Sequence, residues 1–126
     1  MEKKEDRVLG FRKNGIHFYF GDIGVSMIWG YGSYTNNYDD VQYISENGEE
    51  KVLKRGDANF FDRAFELEGV FCQNVEIYPL GKWSKELKNK ILKHFNADDF
   101  PVGYVPIEEI PYVLNTVRRL SKLNNK

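Results

Sequence analysis

The chain has 126 residues, of which 41% are hydrophobic and 29% charged, which suits one soluble domain with a single core and no need of disulfide staples. A net charge of −1 excludes a global field that would draw in nucleic acid or an acidic membrane. One cysteine, Cys72, excludes an intrachain disulfide and a thiolate metal centre, and no apolar run is long enough to span a bilayer.

The opening MEKKEDR is charged and lacks the apolar region of a signal peptide, so residues 1–6 are expected to fray and the protein to work in a reducing cytoplasm. Residues 7–11 are predicted as a first strand. Asn14 and Gly15 follow, two residues that tolerate the positive φ of a type I′ hairpin turn. In the next strand Ile16, Phe18 and Phe20 alternate with His17 and Tyr19, giving one apolar face. Gly21, Asp22, Ile23 and Gly24 turn the chain into a third strand over 25–29.

That apolar run stops at Gly30, Tyr31 and Gly32 and opens into Ser, Thr, Asn and Tyr. Beyond it, 41–45 and 51–54 are predicted as a charged hairpin around a second Asn-Gly pair, Asn47-Gly48. Residues 58–68 fit a short helix or a strand equally. Residues 74–78 read as a strand with Val75 and Ile77 inward, closed by Pro79.

Ser84 is placed to cap a helix over 85–95 with the stripe Leu87, Ile91, Leu92 and Phe95. Residues 96–103 read as a loop around Pro101. A last helix carries Ile110, Val113, Leu114, Val117, Leu120 and Leu123, with 106–109 as its introductory turn, because Pro111 fits only a first helical turn. Strands first and helices afterwards predict an α+β fold. The expected form is one domain over 1–126, an antiparallel sheet of five to six strands with two C-terminal helices on one face.

Charge divides along the chain. Residues 1–80 hold 9 Lys/Arg against 14 Asp/Glu, and 81–126 hold 9 against 5. Lys82, Lys85, Lys88, Lys90 and Lys93 could meet a phosphate backbone, but they spread around a helix as a solvated face does, and the acidic half would repel nucleic acid. Nothing in the sequence brings His17 and His94 together as an acid and base. No serine sits in a nucleophile elbow, and neither Asp39-Asp40 nor Asp98-Asp99 has the alternate spacing of a calcium loop. A Rossmann fingerprint needs glycine where Thr35 stands. The expectation is therefore a protein without catalytic residues, cofactor or metal.

Trp29, Gly30, Tyr31, Gly32, Ser33, Tyr34, Asn36, Asn37 and Tyr38 remain as the candidate binding residues. Tyrosine offers contact area with few torsions to freeze, serine and asparagine offer hydrogen bonds, and the glycines would let backbone amides approach a ligand. The alternative is that Tyr31 and Tyr34 fold back as a lid on the core while the asparagines merely turn the chain.

Residues 25–37, VSMIWGYGSYTNN, resemble a group of short phage and prophage proteins that share V-S-x-x-W-G-x-G-x-Y-x-x-N. Asn74 to Ile77 and Gly103 to Ile110 are similar to later pieces of that group, whereas Ser33 and Thr35 depart from its usual Asn and Cys. The resemblance implies a phage-type origin in a bacterial cytoplasm, and small phage proteins without catalytic residues often act by binding, so a counter-defence binding protein is the expectation. It would hold a nucleotide-like molecule on this loop, with a homo-oligomer as one possible frame, or alternatively dock on a host macromolecule through the same loop.

Overall fold

The computed structural model describes residues 5–10 and 13–124. Phe11, expected at the end of the first strand, lies outside the described residues, as do the first four residues of the expected frayed start and the side chain of Leu123. The chain runs β1 (Arg7–Gly10), β2 (Gly15–Phe20), β3 (Ile23–Ile28), β4 (Val41–Ile44), β5 (Glu50–Leu53), α1 (Phe60–Glu66), β6 (Asn74–Leu80), α2 (Lys85–His94), β7 (Val102–Pro106), a 3-10 turn (Ile107–Glu109) and α3 (Ile110–Asn124). The α+β expectation holds, with seven strands in two sheets and three helices among the described residues. Also among the described residues, no helix is long and apolar enough to cross a membrane.

The main sheet is antiparallel, in the order β1-β2-β3-β6-β7. Its centre, β3, is buried from Ile23 to Met27 because it has a strand on each side. Ile23, Val25 and Met27 face the same side as Val75 and Ile77. There they meet Leu87 and Ile91 of α2 and Val113, Val117 and Leu120 of α3, so both helices bury their stripes in one core. Burying each such aliphatic side chain contributes about 1.5–3 kcal/mol. Trp83, 3% exposed, seals the end of this core and donates its indole N–H to Gly24 O at 2.7 Å.

Local signals set several element ends. The Ser84 hydroxyl accepts from Leu87 N at 3.1 Å and starts α2 as expected. Asn96, at φ +52°, ends it, with Ala97 N donating to Leu92 O and Asn96 N to Lys93 O in the Schellman pattern. Pro111 does lie in the first turn of α3.

The turns differ from expectation. Gly10 pairs with Ile16 and Gly15 with Ile28, so Asn14-Gly15 is not a two-residue hairpin turn. The two-residue turn is Gly21-Asp22, between the paired Phe20 and Ile23, with Gly21 at φ +73°. At the second Asn-Gly pair only Gly48 has positive φ, and Gly48 N bonds Ser45 O, which gives a three-residue loop.

Three elements also depart from the prediction. β4 and β5 form a separate two-stranded sheet, and β4 adds a single antiparallel bridge from Tyr43 to Val70. β6 continues through Pro79, which is tolerated because the pairing with β7 ends at Ile77 and leaves β6 one neighbour there. Residues 102–106 are a strand and not the end of a loop. Opposite Glu76 this strand holds two residues, Gly103 and Tyr104, a β-bulge with Tyr104 at φ +54°.

Residues 29–73 are inserted between the adjacent strands β3 and β6. They build a second core from Val41, Leu53, Phe60, Ala64 and Val70. Trp29 packs against both cores and joins them, its indole N–H donating to Val70 O at 3.1 Å.

Candidate functional site

The loop that leaves β3 is held by its own polar groups. Trp29 N continues the ladder to Asn14 O, and Gly30 lies so close to the Asn14 side chain that a Cβ would stand 3.0 Å from Asn14 Nδ2. Ser33 N then bonds Gly30 O at 3.2 Å, closing a four-residue turn in which Gly32 takes φ +82°. That is the type II geometry, so Gly32 is required by the turn itself.

The hydroxyls continue the bracing. Ser33 Oγ donates to Gly30 O at 2.6 Å, which leaves Thr35 Oγ1 to donate to Ser33 Oγ at 2.7 Å while accepting from Asn37 N at 3.1 Å. Asn37 is the centre of the loop and is fully buried. Its Nδ2 donates to Trp29 O at 2.6 Å and Phe71 O at 3.0 Å, and its Oδ1 accepts from Gln42 N at 3.0 Å. One amide thus ties the end of β3, the start of β4 and the segment before β6. Among the described residues no buried side-chain nitrogen or oxygen is left without a partner.

The nine predicted residues therefore divide. Trp29, Ser33 and Asn37 are committed to the protein's interior bonding, and Gly30 and Gly32 to its turn. The Tyr31 ring stands edge-on to Phe60 at 5.1 Å and Phe65 at 5.5 Å, a lid on the second core. Of the polar side chains expected to meet a ligand, those of Ser33 and Asn37 are instead buried: backbone carbonyls and amides at a sharp chain reversal need partners, and the serine and asparagine supply them.

Tyr34, Asn36 and Tyr38 do face outward. Tyr34 is 46% and Tyr38 43% exposed, and their rings stack 5.8 Å apart at an interplanar angle of 6°. Such a pair contributes about 1 kcal/mol beyond area burial and fixes both rings before any contact. The backbone beneath them is bonded to β6 and β7. Tyr34 N donates to Glu76 Oε1 at 2.9 Å, and Tyr104 N to Tyr34 O at 2.7 Å. Asn36 N donates to Asn74 Oδ1 at 3.1 Å, and Asn74 Nδ2 returns to Asn36 Oδ1 at 2.7 Å. A Cβ at Gly103 would collide with the Cβ and carbonyl of Tyr34, so glycine there lets β7 approach the loop.

The bulge also presents Tyr104, exposed and unassigned in the sequence reading. Its signal was Gly103 inside a β-prone run, the mark of a bulge.

The histidines stand apart. His17 is on the sheet face opposite the helices, next to the Tyr19 hydroxyl at 3.4 Å, and burial lowers its imidazole below the ordinary value. His94 is on α2, stacked on Tyr112 at 3.8 Å and bonded to Glu109 at 2.8 Å. Among the described residues no three His, Cys, Asp or Glu side chains gather as a metal would need. An open cleft of about 610 Å³ lies between the β4–β5 turn and α1, lined by Tyr43, Ser45, Arg63 and Leu67 among others and by no residue of the 29–40 loop.

No family model, curated protein or solved structure matches the chain.

Proposed function

We propose that this protein acts without catalysis, by docking on a macromolecule through Tyr34, Asn36 and Tyr38, with Tyr104 extending the same surface. The observation that carries the reading is the stacked, half-exposed Tyr34–Tyr38 pair on a loop whose frame is already bonded. Rings fixed in advance lose little side-chain freedom on contact, and tyrosine is enriched among the residues that dominate interface energies.

A flat ring pair suits a macromolecular face better than a nucleotide. A base slotted between two rings needs about 7 Å between them, twice the van der Waals contact distance. The 5.8 Å separation is too small for that. The likeness of residues 25–37 to short phage and prophage proteins fits a counter-defence role in a bacterial cytoplasm, and the ring geometry favours a host protein over a nucleotide as the partner.

The test is capture from host lysate on the immobilised protein, with Tyr34→Ser/Tyr38→Ser as the control. One partner at equal stoichiometry, lost on the double substitution at an unchanged thermal midpoint, is the expected result. Retention of that partner by the variant would refute the reading. Stabilisation by a member of a cyclic and linear nucleotide panel, absent from the variant, would replace it with nucleotide sequestration.

A further inference from the structure

A second group of aromatic rings gathers on α1. Phe61 and Phe65 are 55% and 64% exposed, and at i and i+4 they share one face of the helix. Phe60 and Ala64, on the other side, anchor α1 in the second core. Tyr31 stands edge-on to both exposed rings, at 6.2 and 5.5 Å, and so widens them into one apolar surface. Isolated exposed hydrophobic residues are ordinary, but a contiguous patch of rings marks a place where something docks.

The surrounding charge says what kind of partner fits. The inserted segment 29–73 carries nine Asp/Glu against four Lys/Arg, a balance of −5, while the rest of the chain carries +4. On α1, the 100° step per residue puts the exposed Asp62 and Glu66 on the outward flank of the two phenylalanines. Arg63 turns to the far flank and lines the cleft, which Glu66 also reaches, while Lys13 Nζ donates to the Glu66 carbonyl at 2.9 Å. Arg55 lies over the Phe61 ring at 6.0 Å, but its guanidinium is paired with Asp39 at 2.8 Å. The apolar surface is therefore edged on its open side by Asp62, with Glu66 at its C-terminal end beside Lys13, and the inserted segment as a whole carries the acidic excess.

We infer that this face of α1 docks a cationic amphipathic segment of a partner protein, one that presents bulky apolar side chains flanked by Lys or Arg. The apolar side chains cover Phe61 and Phe65, and the flanking cations meet Asp62 and Glu66. Complementary charge of this kind speeds encounter and rejects acidic partners. The surface is separate from the tyrosine pair, so the two docking readings stand or fall independently. A second copy of this chain, offering the lysines of α2, would make a head-to-tail contact that does not close on itself, and the external segment is preferred for that reason.

The test uses the full chain and a fluorescein-labelled helical peptide of Leu and Lys, with Leu at every third and fourth position, and a matched peptide with Glu in place of Lys. Fluorescence anisotropy is expected to show binding of the Lys peptide. Binding should weaken at least about tenfold for Phe61→Ser/Phe65→Ser, since hot-spot truncations each cost over 1 kcal/mol and 1.4 kcal/mol is tenfold. It should weaken also for Asp62→Lys/Glu66→Lys and at raised salt, with the Glu peptide not binding. Failure of the Lys peptide to bind, or equal binding by wild type and the Phe variant, overturns the inference. Equal binding of the Glu peptide overturns its charge component. A dimer in sedimentation that dissociates on Phe61→Ser/Phe65→Ser overturns it in favour of a second copy.

Discussion

Replacing Asn37 tests whether the loop is a bonded frame. In Asn37→Ala, Trp29 O, Phe71 O and Gln42 N lose their partners, at 2.6, 3.0 and 3.0 Å in the native protein. An unsatisfied buried polar group costs about 1–3 kcal/mol. Water entering the vacated space recovers part of that, so a loss of about 3–5 kcal/mol is expected, a large share of a typical domain's total of about 5–15 kcal/mol.

Asn37→Asp adds a sign. The carboxyl keeps the shape of the amide but, when ionised, points an oxygen at two carbonyls it cannot donate to. The native fold should therefore hold this carboxyl protonated, raising its pKa above the unfolded value of about 3.9. A group shifted upward contributes its stability below the unfolded value and loses it as pH rises through the folded one. Urea unfolding at several pH values is the assay. The gap between Asn37→Asp and wild type should be widest near neutrality and narrow toward pH 4. A cost below about 1 kcal/mol for Asn37→Ala, or a gap independent of pH, would refute the frame.

Other substitutions probe the neighbouring contacts. Gly103→Ala should destabilise by about 1–3 kcal/mol and raise amide exchange at Tyr104, because its Cβ collides with Tyr34 and pushes β7 off the loop. Ser84→Ala removes the bond to Leu87 N and should cost about 1 kcal/mol by thermal unfolding. Burial lowers the His17 imidazole below its ordinary 6.5, so the unfolded chain binds the proton first as pH falls. His17 thus contributes stability above that value and loses it on acidification. An NMR titration should find its midpoint below 6.5, and His17→Gln should flatten the decline in stability between neutral and mildly acidic pH.

The readable parts of the fold were those in which a local pattern and the tertiary structure agree. The alternation of Ile16, Phe18 and Phe20 places them against the core, and the Ser84 hydroxyl caps α2, as those residues alone suggest. β7 was hidden by its own bulge. Val102 and Val105, three apart, would face opposite sides of a regular strand, and the extra residue brings both into the core. At Asn14-Gly15 the turn propensity lost to register, because pairing Gly15 with Ile28 draws the glycine into the strand. α1 has no side-chain cap, and Asn59 before it sits in the left-handed region, so nothing local announced its start. In the loop, polarity suggested exposure for Ser33 and Asn37. Their burial answers the hydrogen-bonding needs of backbone groups far away in sequence, Phe71 O above all, which no local reading exposes.

The central claim is that the stacked rings of Tyr34 and Tyr38 meet the partner. Site-specific photocrosslinking in cells of the proposed bacterial host addresses it, with benzoylphenylalanine at position 34, at position 38, and at the exposed Ile44 of β4. A single host protein crosslinked from 34 and 38 and absent from 44 is the expected result. No crosslink from either tyrosine position, or the same protein captured equally from Ile44, would contradict it.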